Sequence, residues 1–127
     1  PDWSRGLGDV YKRQVLMSTV AVQRGMPFHS SVAASKGAIE GLTKSLAAEY
    51  APKVRVNAVA PSIVDTPLAN RFLNNELKVE KSAQKHPLKR IGQASDIADI
   101  IKFLLSEKSS WMTGQIIGVD GGTSTLS

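Results

Sequence analysis

The chain has 127 residues, which is about one domain by the usual relation of length to domain number. With 42% hydrophobic and 21% charged residues it is typical of a soluble globular protein, and no apolar run reaches the roughly eighteen residues of a membrane-spanning helix. The absence of cysteine excludes disulfides and thiolate nucleophiles, and His29 and His86 lack the spacing of metal ligands. The net charge of +5 is scattered along the chain, which indicates a solvated surface rather than a nucleic-acid interface.

The first fourteen residues, 1–14, differ in character from the rest of the chain. They follow neither the helical nor the strand period, and no capping or turn residues lead into the next segment. The run from Asp9 to Gln14 resembles a translated transposase adapter of the kind left by tagmented sequencing libraries. We therefore predict a non-native leader at 1–14 and the protein proper at 15–127. The alternative is a native N-terminus with little order.

The next segments alternate between strand and helix patterns. Residues 15–20 form a short apolar run that ends in small hydroxyl residues, which is typical of a strand buried on both faces. Residues 31–50 have the helical period, with a predicted apolar face formed by Ile39, Leu42, Leu46 and Tyr50. Pro52 ends this helix, and the valine-rich alternation of residues 54–60 predicts a second strand.

The second half of the chain begins with a polar stretch and returns to regular elements. Residues 67–86 are weakly periodic and predict one or two surface helices with mobile connections. They belong to a lid-like segment at 67–93, which is where a lid over a substrate would lie. His86, within this lid-like segment, could reach a substrate, but we expect it on the surface. Ser95 is the predicted N-cap of a helix ending at Leu105, and residues 115–120 predict a third strand.

This order of elements predicts an α/β fold with a parallel sheet. Three strands are too few for a closed, doubly wound domain, because a parallel sheet needs cover on both faces. We therefore expect the C-terminal half of a Rossmann-type doubly wound parallel sheet, which would be only marginally stable by itself.

Five short motifs, in a consistent order, resemble the second half of a short-chain dehydrogenase/reductase. They are the segments Ala33–Ala38, Val54–Pro61, Thr66–Pro67, Thr113–Gln115 and Val119–Gly122. The resemblance implies a Rossmann-type fold that binds NAD or NADP and moves a hydride between nicotinamide and a carbonyl or alcohol carbon of a small-molecule substrate. It also implies a cytoplasmic homodimer or homotetramer. The family's Gly-rich phosphate loop does not occur in this sequence, so the choice between NAD and NADP stays open.

The resemblance assigns roles to three catalytic positions. Lys36 occupies the position of the lysine that binds the nicotinamide ribose, and Thr19 that of the serine that orients the substrate oxygen. Val32 stands where the family has its acid/base tyrosine, and valine cannot transfer a proton. We hypothesise that His29 replaces it, since its distance of seven residues from Lys36 is similar to the tyrosine spacing of the related enoyl reductases. The alternative is a loop histidine that faces solvent.

The resemblance also implies a cofactor loop after the second strand. Pro61, Ser62, Ile63 and Thr66 would wrap the nicotinamide, although Ser62 stands where the family usually has glycine; a plain turn is the alternative. A stripe of small residues, Gly37, Gly41 and Ser45, would pack either on a symmetry mate or on the chain's own sheet. Because Val32 replaces the tyrosine, a second hypothesis is a catalytically inactive subunit that only binds the dinucleotide. A third is that the chain, as written, has no function.

Overall fold

A computed structural model describes residues 12–70 and 73–126. Short 3-10 turns at Pro67–Ala69 and Glu107–Ser109 connect some of the regular elements. The strands are β1 (Lys12–Met17), β2 (Val54–Pro61), β3 (Val64–Asp65), β4 (Gly92–Gln93) and β5 (Ile116–Val119). The helices are α1 (Val20–Gln23), α2 (Ser30–Tyr50), α3 (Glu76–Gln84), α4 (Ala94–Leu104) and α5 (Thr123–Leu126).

The main sheet has three parallel strands in the order β1-β2-β5. Met17 pairs with Val59 and Pro61 pairs with Val119, so all three strands end at the same edge. The central strand is the most buried, because it has a neighbour on each side and side chains packed on both faces. The predicted α/β fold with a parallel sheet is therefore confirmed.

Helix α2 lies on the sheet through small side chains. Thr43 and Ala47 are buried, and Ala47 packs with Val54 and Val56 of β2. The predicted apolar face is only partly right, because Leu46 and Tyr50 pack against this cluster while Leu42 is 45% exposed. The contacting face is rotated towards Thr43 and Ala47 since small side chains let the helix come closer to the strands.

The small stripe of α2 is not filled by the chain's own sheet. A Cβ added at Gly41 would meet no atom of the structure within 4 Å, and Ser45 is exposed. Gly37 faces only Val22, whose Cγ1 atom would lie 3.9 Å from an added Cβ. Packing against the sheet therefore does not explain why Gly41 and Ser45 are small.

A second, two-stranded parallel sheet anchors both ends of the lid-like segment. Val64 pairs with Gly92, and the Gly92 amide donates to the Ile63 carbonyl at 2.9 Å. Between these ends, the Asn75 side chain caps α3 by accepting from the Lys78 amide at 2.8 Å. The described part of the segment predicted as one or two surface helices thus contains one helix and one 3-10 turn, tied at its base to the end of β2.

Three local predictions are corrected by the structure. The first strand begins at Lys12 and ends at Met17, rather than spanning 15–20, because its register with β2 continues to Val54 at one end and stops at Val59 at the other. Ser95 is not an N-cap; α4 begins at Ala94, where the Asp96 carboxylate accepts from the Gln93 amide at 2.7 Å. His86 is only 3% exposed, not on the surface.

The predicted leader falls mainly outside the described residues. Residues 1–11 are not described, whereas residues 12–14 form the first half of β1. The non-native origin of residues 1–14 stays a prediction.

Candidate functional site

The candidate site lies at the edge where the parallel strands end. Ser18 and Thr19 follow β1, Ser62 and Ile63 follow β2, and Asp120 follows β5. In open α/β sheets ligands bind at the carboxyl ends of the strands, because the loops that connect strands to helices meet there. The fold therefore brings together most of the residues that the sequence predicts for a site.

Lys36 reaches this edge from α2. Its side chain is half-buried, and its Nζ donates to the Met17 carbonyl at 3.2 Å, directly before Ser18 and Thr19. An ammonium group carries three donors, and this bond uses one of them. The lysine can thus hold its charge at the end of β1 and still offer N–H groups to hydroxyls of a ligand.

Thr19 has a structural role in addition to the predicted one. It is the N-cap of α1, and its Oγ1 accepts weakly from the Ala21 amide at 3.4 Å. A hydroxyl that accepts in this way still has its own proton to donate. The geometry is therefore compatible with a hydrogen bond from Thr19 to a substrate oxygen.

Ser18, the residue next to Thr19, was not predicted from the sequence to lie in the site. Ser18 is buried, and its Oγ donates to the Glu40 carboxylate of α2 in a short hydrogen bond. Glu40 follows Lys36 by one helical turn, so both side chains come from the same face of α2 to the end of β1. The i, i+4 spacing of Lys36 and Glu40 is the signal by which this contact could have been found.

Neither Val32 nor His29 is buried in the site. Val32 is 43% exposed, one turn before Lys36, and has no group that transfers a proton. His29 is half-buried just before α2, and its Nδ1 lies 2.7 Å from the Pro27 carbonyl. Because a carbonyl only accepts, Nδ1 carries a proton, and Nε2 is the nitrogen able to exchange one with a ligand. The Pro27 carbonyl therefore favours the tautomer of His29 that is protonated at Nδ1.

The predicted cofactor loop runs from the end of β2 into the lid-like segment. Ser62 Oγ lies 2.8 Å from Nε2 of His86, and Thr66 precedes the 3-10 turn without capping it through its side chain. Pro61, Ser62, Ile63 and Thr66 are all half-buried, so each keeps some surface at this edge. Sequence reasoning missed the role of His86, although Val79, Ala83 and His86 follow the helical spacing of a buried face.

A cavity of about 150 Å³ opens beside this loop, between the ends of β2 and β5. It is lined by residues from the ends of β2 and β5, the lid-like segment and the first turn of α4: Ser62, Ile63, His86, Leu88, Arg90, Gly92, Asp96, Val119, Asp120 and Gly121. Burial raises the pKa of Asp120, but hydrogen bonds from the Ser124 hydroxyl and from the Gly122 and Ser124 amides outweigh this effect, and the net result is a lowered pKa. The wall of the cavity next to β5 is therefore anionic at neutral pH.

An ion pair stands at the outer side of the cavity. Arg90 forms two hydrogen bonds to the Asp96 carboxylate, at 2.8 and 3.1 Å. These bonds, together with the Gln93 amide, lower the pKa of Asp96 to about 2. Within residues 12–70 and 73–126, no group of three or more His, Cys, Asp or Glu side chains could hold a metal ion. In the same part of the chain, no helix combines the length and apolar character needed to cross a membrane.

Comparisons with known proteins agree with this geometry. Residues 9–124 match the family model described as enoyl-(acyl carrier protein) reductase. The chain is 41% identical over 109 residues to L-xylulose reductase of Bos taurus, covering 85% of this chain and 45% of the relative. It thus spans about half the length of the curated relatives it matches.

Solved structures show the same arrangement of elements. The aldohexose dehydrogenase of Thermoplasma acidophilum superimposes with a TM-score of 0.86 at 35% identity, over 93% of this chain and 50% of that one. A gluconate 5-dehydrogenase of Burkholderia cenocepacia, solved with NADP and tartrate, gives a TM-score of 0.83 at 27% identity, over 91% and 46%. Since the family model accounts for nearly the whole chain and solved dehydrogenases superimpose closely on it, the chain belongs to the short-chain dehydrogenase/reductase family.

Proposed function

We propose that the protein is an NAD- or NADP-dependent oxidoreductase that interconverts a carbonyl and an alcohol on a small molecule. The observation that carries the proposal is the ammonium group of Lys36, which is hydrogen-bonded at the end of β1 to the Met17 carbonyl, two residues before Thr19. Membership of a family whose relatives include L-xylulose reductase, and a structural neighbour solved with NADP, support the same reaction type.

The residues at the edge of the sheet fit the nicotinamide half of a dinucleotide. Lys36 is cationic, half-buried and still has donors for the ribose hydroxyls. The loop formed by Pro61, Ser62, Ile63 and Thr66 would hold the carboxamide end with its polar groups. When bound, the nicotinamide would supply or accept the hydride.

Two side chains would act on the substrate. The Thr19 hydroxyl would donate a hydrogen bond to the reacting oxygen and orient it. His29 would hold or release a proton at Nε2, because its Nδ1 is engaged with the Pro27 carbonyl.

The second candidate is a catalytically inactive subunit that binds the dinucleotide. It is favoured by Val32, which occupies the tyrosine position, is 43% exposed and cannot transfer a proton. Its signature would be cofactor binding without turnover.

The test uses protein expressed from its complete reading frame, titrated with NADH and NADPH and assayed with ketoses and polyols. Lys36→Met is expected to weaken dinucleotide binding at least about tenfold through loss of charge-assisted hydrogen bonds. Lys44→Met, on the exposed face of the same helix, is the matched control and should bind as wild type. His29→Gln should keep the affinity and lower kcat at least about a hundredfold.

Three outcomes separate the candidates. Absence of binding to either dinucleotide would refute both. Binding without turnover on any carbonyl or alcohol would leave the inactive subunit. Turnover that is unaffected in His29→Gln would support the oxidoreductase and reject His29 as its proton donor.

We further propose that the protein is cytoplasmic and that it assembles as a homodimer or a homotetramer. The exposed Gly41 and Ser45 of α2 support close packing against another copy, since no other element among residues 12–70 and 73–126 fills the space at Gly41. Gly41→Leu should then lower the molecular mass measured by light scattering to that of a monomer.

A further inference from the structure

His86 and Ser62 form a hydrogen-bonded pair that the proposed reaction does not use. Nδ1 of His86 lies 2.7 Å from the Ser82 carbonyl, and Nε2 lies 2.8 Å from Ser62 Oγ. A carbonyl can only accept, so Nδ1 bears a proton. In the Nδ1–H tautomer Nε2 is an acceptor, and the Ser62 hydroxyl can donate to it.

The ring of His86 is buried and is held by contacts other than that with Ser62. It is 3% exposed, Ser82 of α3 fixes one nitrogen, and Gly121 at the end of β5 packs against its face. A Cβ added at Gly121 would lie 3.4 Å from Cβ of His86 and 3.5 Å from its Cδ2, and Gly121 has a φ of +62° that favours glycine. The histidine is thus a fixed point against which Ser62 is bound.

Ser62 and Ile63 are both tied to the same part of the lid-like segment. Ser62 is bound by the His86 side chain, and the Ile63 carbonyl accepts from the Gly92 amide at 2.9 Å. Two consecutive residues of the cofactor loop are therefore bound by residues 86–92. A glycine, the residue usual at position 62 in the family, would lack the first of these two contacts.

We propose that His86 is a positioning residue, which acts through Ser62 to hold the loop of residues 61–66 in the conformation that binds the nicotinamide end of a dinucleotide. The inference rests on the proposed function, since it assigns that loop to the cofactor. The physical reason is preorganisation: a loop already held by hydrogen bonds loses less conformational entropy on binding. Removal of the pair should then affect cofactor affinity more than the chemical step.

The test compares variants of the protein expressed from its complete reading frame. Ser62→Ala removes the donor, and His86→Asn removes the acceptor while its amide can still donate to Ser82. Each should weaken binding of NADH or NADPH, measured by fluorescence titration, by about three- to tenfold, the size of one lost hydrogen bond. The double variant should be no weaker than the weaker single one, because both remove the same interaction.

Two further variants separate positioning from general loss of structure. His86→Gln presents an amide oxygen near the place of Nε2 and should restore most of the affinity lost in His86→Asn. Ser95→Ala, exposed on α4, is the matched control and should bind as wild type. In His86→Asn the affinity for the cofactor should fall by a larger factor than kcat at saturating cofactor does, since the loss lies in binding.

A readout independent of the cofactor is the nuclear magnetic resonance spectrum of the free protein. His86 should show the Nδ1–H tautomer, and the Gly92 amide should exchange faster in Ser62→Ala than in wild type because its partner Ile63 is less well held. Wild-type protein that binds neither dinucleotide would refute the proposed function and with it the role of the loop. Three other outcomes would overturn the positioning role alone. The first is wild-type protein that binds a dinucleotide while Ser62→Ala and His86→Asn bind it with unchanged affinity. The others are losses of affinity that multiply in the double variant and an Nε2–H tautomer of His86.

Discussion

Val32 lies one helical turn before Lys36 and points partly to solvent, with 43% of its surface exposed. A tyrosine at this position would bring a phenol close to the ammonium of Lys36, whose charge lowers the pKa of a neighbouring acid. With valine at position 32 this phenol is missing. The chemistry proposed for His29 therefore differs from the common chemistry of the family.

Val32→Tyr tests whether the remaining site is intact. If the wild type binds the dinucleotide without turnover, the variant should gain measurable carbonyl reduction, at least about a hundredfold above background, because a general acid contributes this much. Leu42→Tyr, on the same helix and 45% exposed, is the control that should gain nothing. Lack of any gain in Val32→Tyr would mean that other parts of the site have also been lost.

Asp96 gives a prediction of pH-dependent stability. Its pKa is lowered from 3.8 to about 2, so the carboxylate stabilises the folded state fully above the unfolded value, and this contribution is lost as the pH falls from about 4 towards 2. Asp96→Asn should therefore unfold at lower urea concentration than wild type at pH 6, and the difference should shrink towards pH 2. Asp99→Asn, exposed on the same helix, should show little difference at either pH. A deficit in Asp96→Asn that does not change with pH would contradict the ion-pair explanation.

At the scale of elements, β2 organises the turn that leads into β5. The Asn57 side chain donates to the Met112 carbonyl at 3.2 Å and accepts from the Gln115 amide at 3.1 Å. Arg55 donates to the carbonyls of Met112, Leu104 and Ser106, at 3.0, 3.3 and 3.0 Å. Burial, and then the charge of Arg13, lower the pKa of this arginine. Polar side chains of the central strand thus satisfy backbone groups where α4 ends and β5 begins.

Replacement of Asn57 should be costly for this reason. Asn57 is 1% exposed, and Asn57→Ala leaves the Gln115 amide and the Met112 carbonyl without these partners, which should lower the free energy of unfolding by about 1 to 3 kcal/mol. Urea denaturation measures the change. Asn74→Ala, exposed beside α3, should stay within about 0.5 kcal/mol of wild type. A similarly small effect of Asn57→Ala would mean that water replaces the side chain.

At the scale of the whole molecule, β1 is an edge strand whose six residues are all half-buried. The Lys12 amide donates to Lys53 and the Ser18 amide to Val59, so the even-numbered residues of β1 direct their N–H groups to β2. The amides of Val15 and Met17 therefore point away from β2, to the side of β1 on which the described residues provide no strand.

Hydrogen exchange of the 127-residue chain should reveal this alternation. The Leu16 amide, directed to β2, is expected to exchange at least about tenfold more slowly than those of Val15 and Met17. Measurement of individual amides by nuclear magnetic resonance gives the comparison within one strand, so each residue serves as control for its neighbour. Equal protection of Val15 and Leu16 would show that another strand, from a second copy or another chain, pairs with the open edge.

The local sequence determined the type and order of the main elements. The helix predicted at 31–50 is Ser30–Tyr50, and the strand predicted at 54–60 is Val54–Pro61. These succeed because apolar spacing and the prolines that bound the segments act within a few residues along the chain. The motifs around Lys36 and Pro61, and hence the family, could be identified from the sequence for the same reason.

Only the tertiary structure decided contacts between distant segments. The start of β1 at Lys12 depends on its register with β2, and the exposure of Leu42 depends on how closely Thr43 and Ala47 approach the sheet. His86 could be assigned to the interior only once Ser62 and Ser82 provided partners for both ring nitrogens, because a buried imidazole is stable when its polar atoms are hydrogen-bonded. Such partners lie up to 24 residues away, beyond the range of any local pattern.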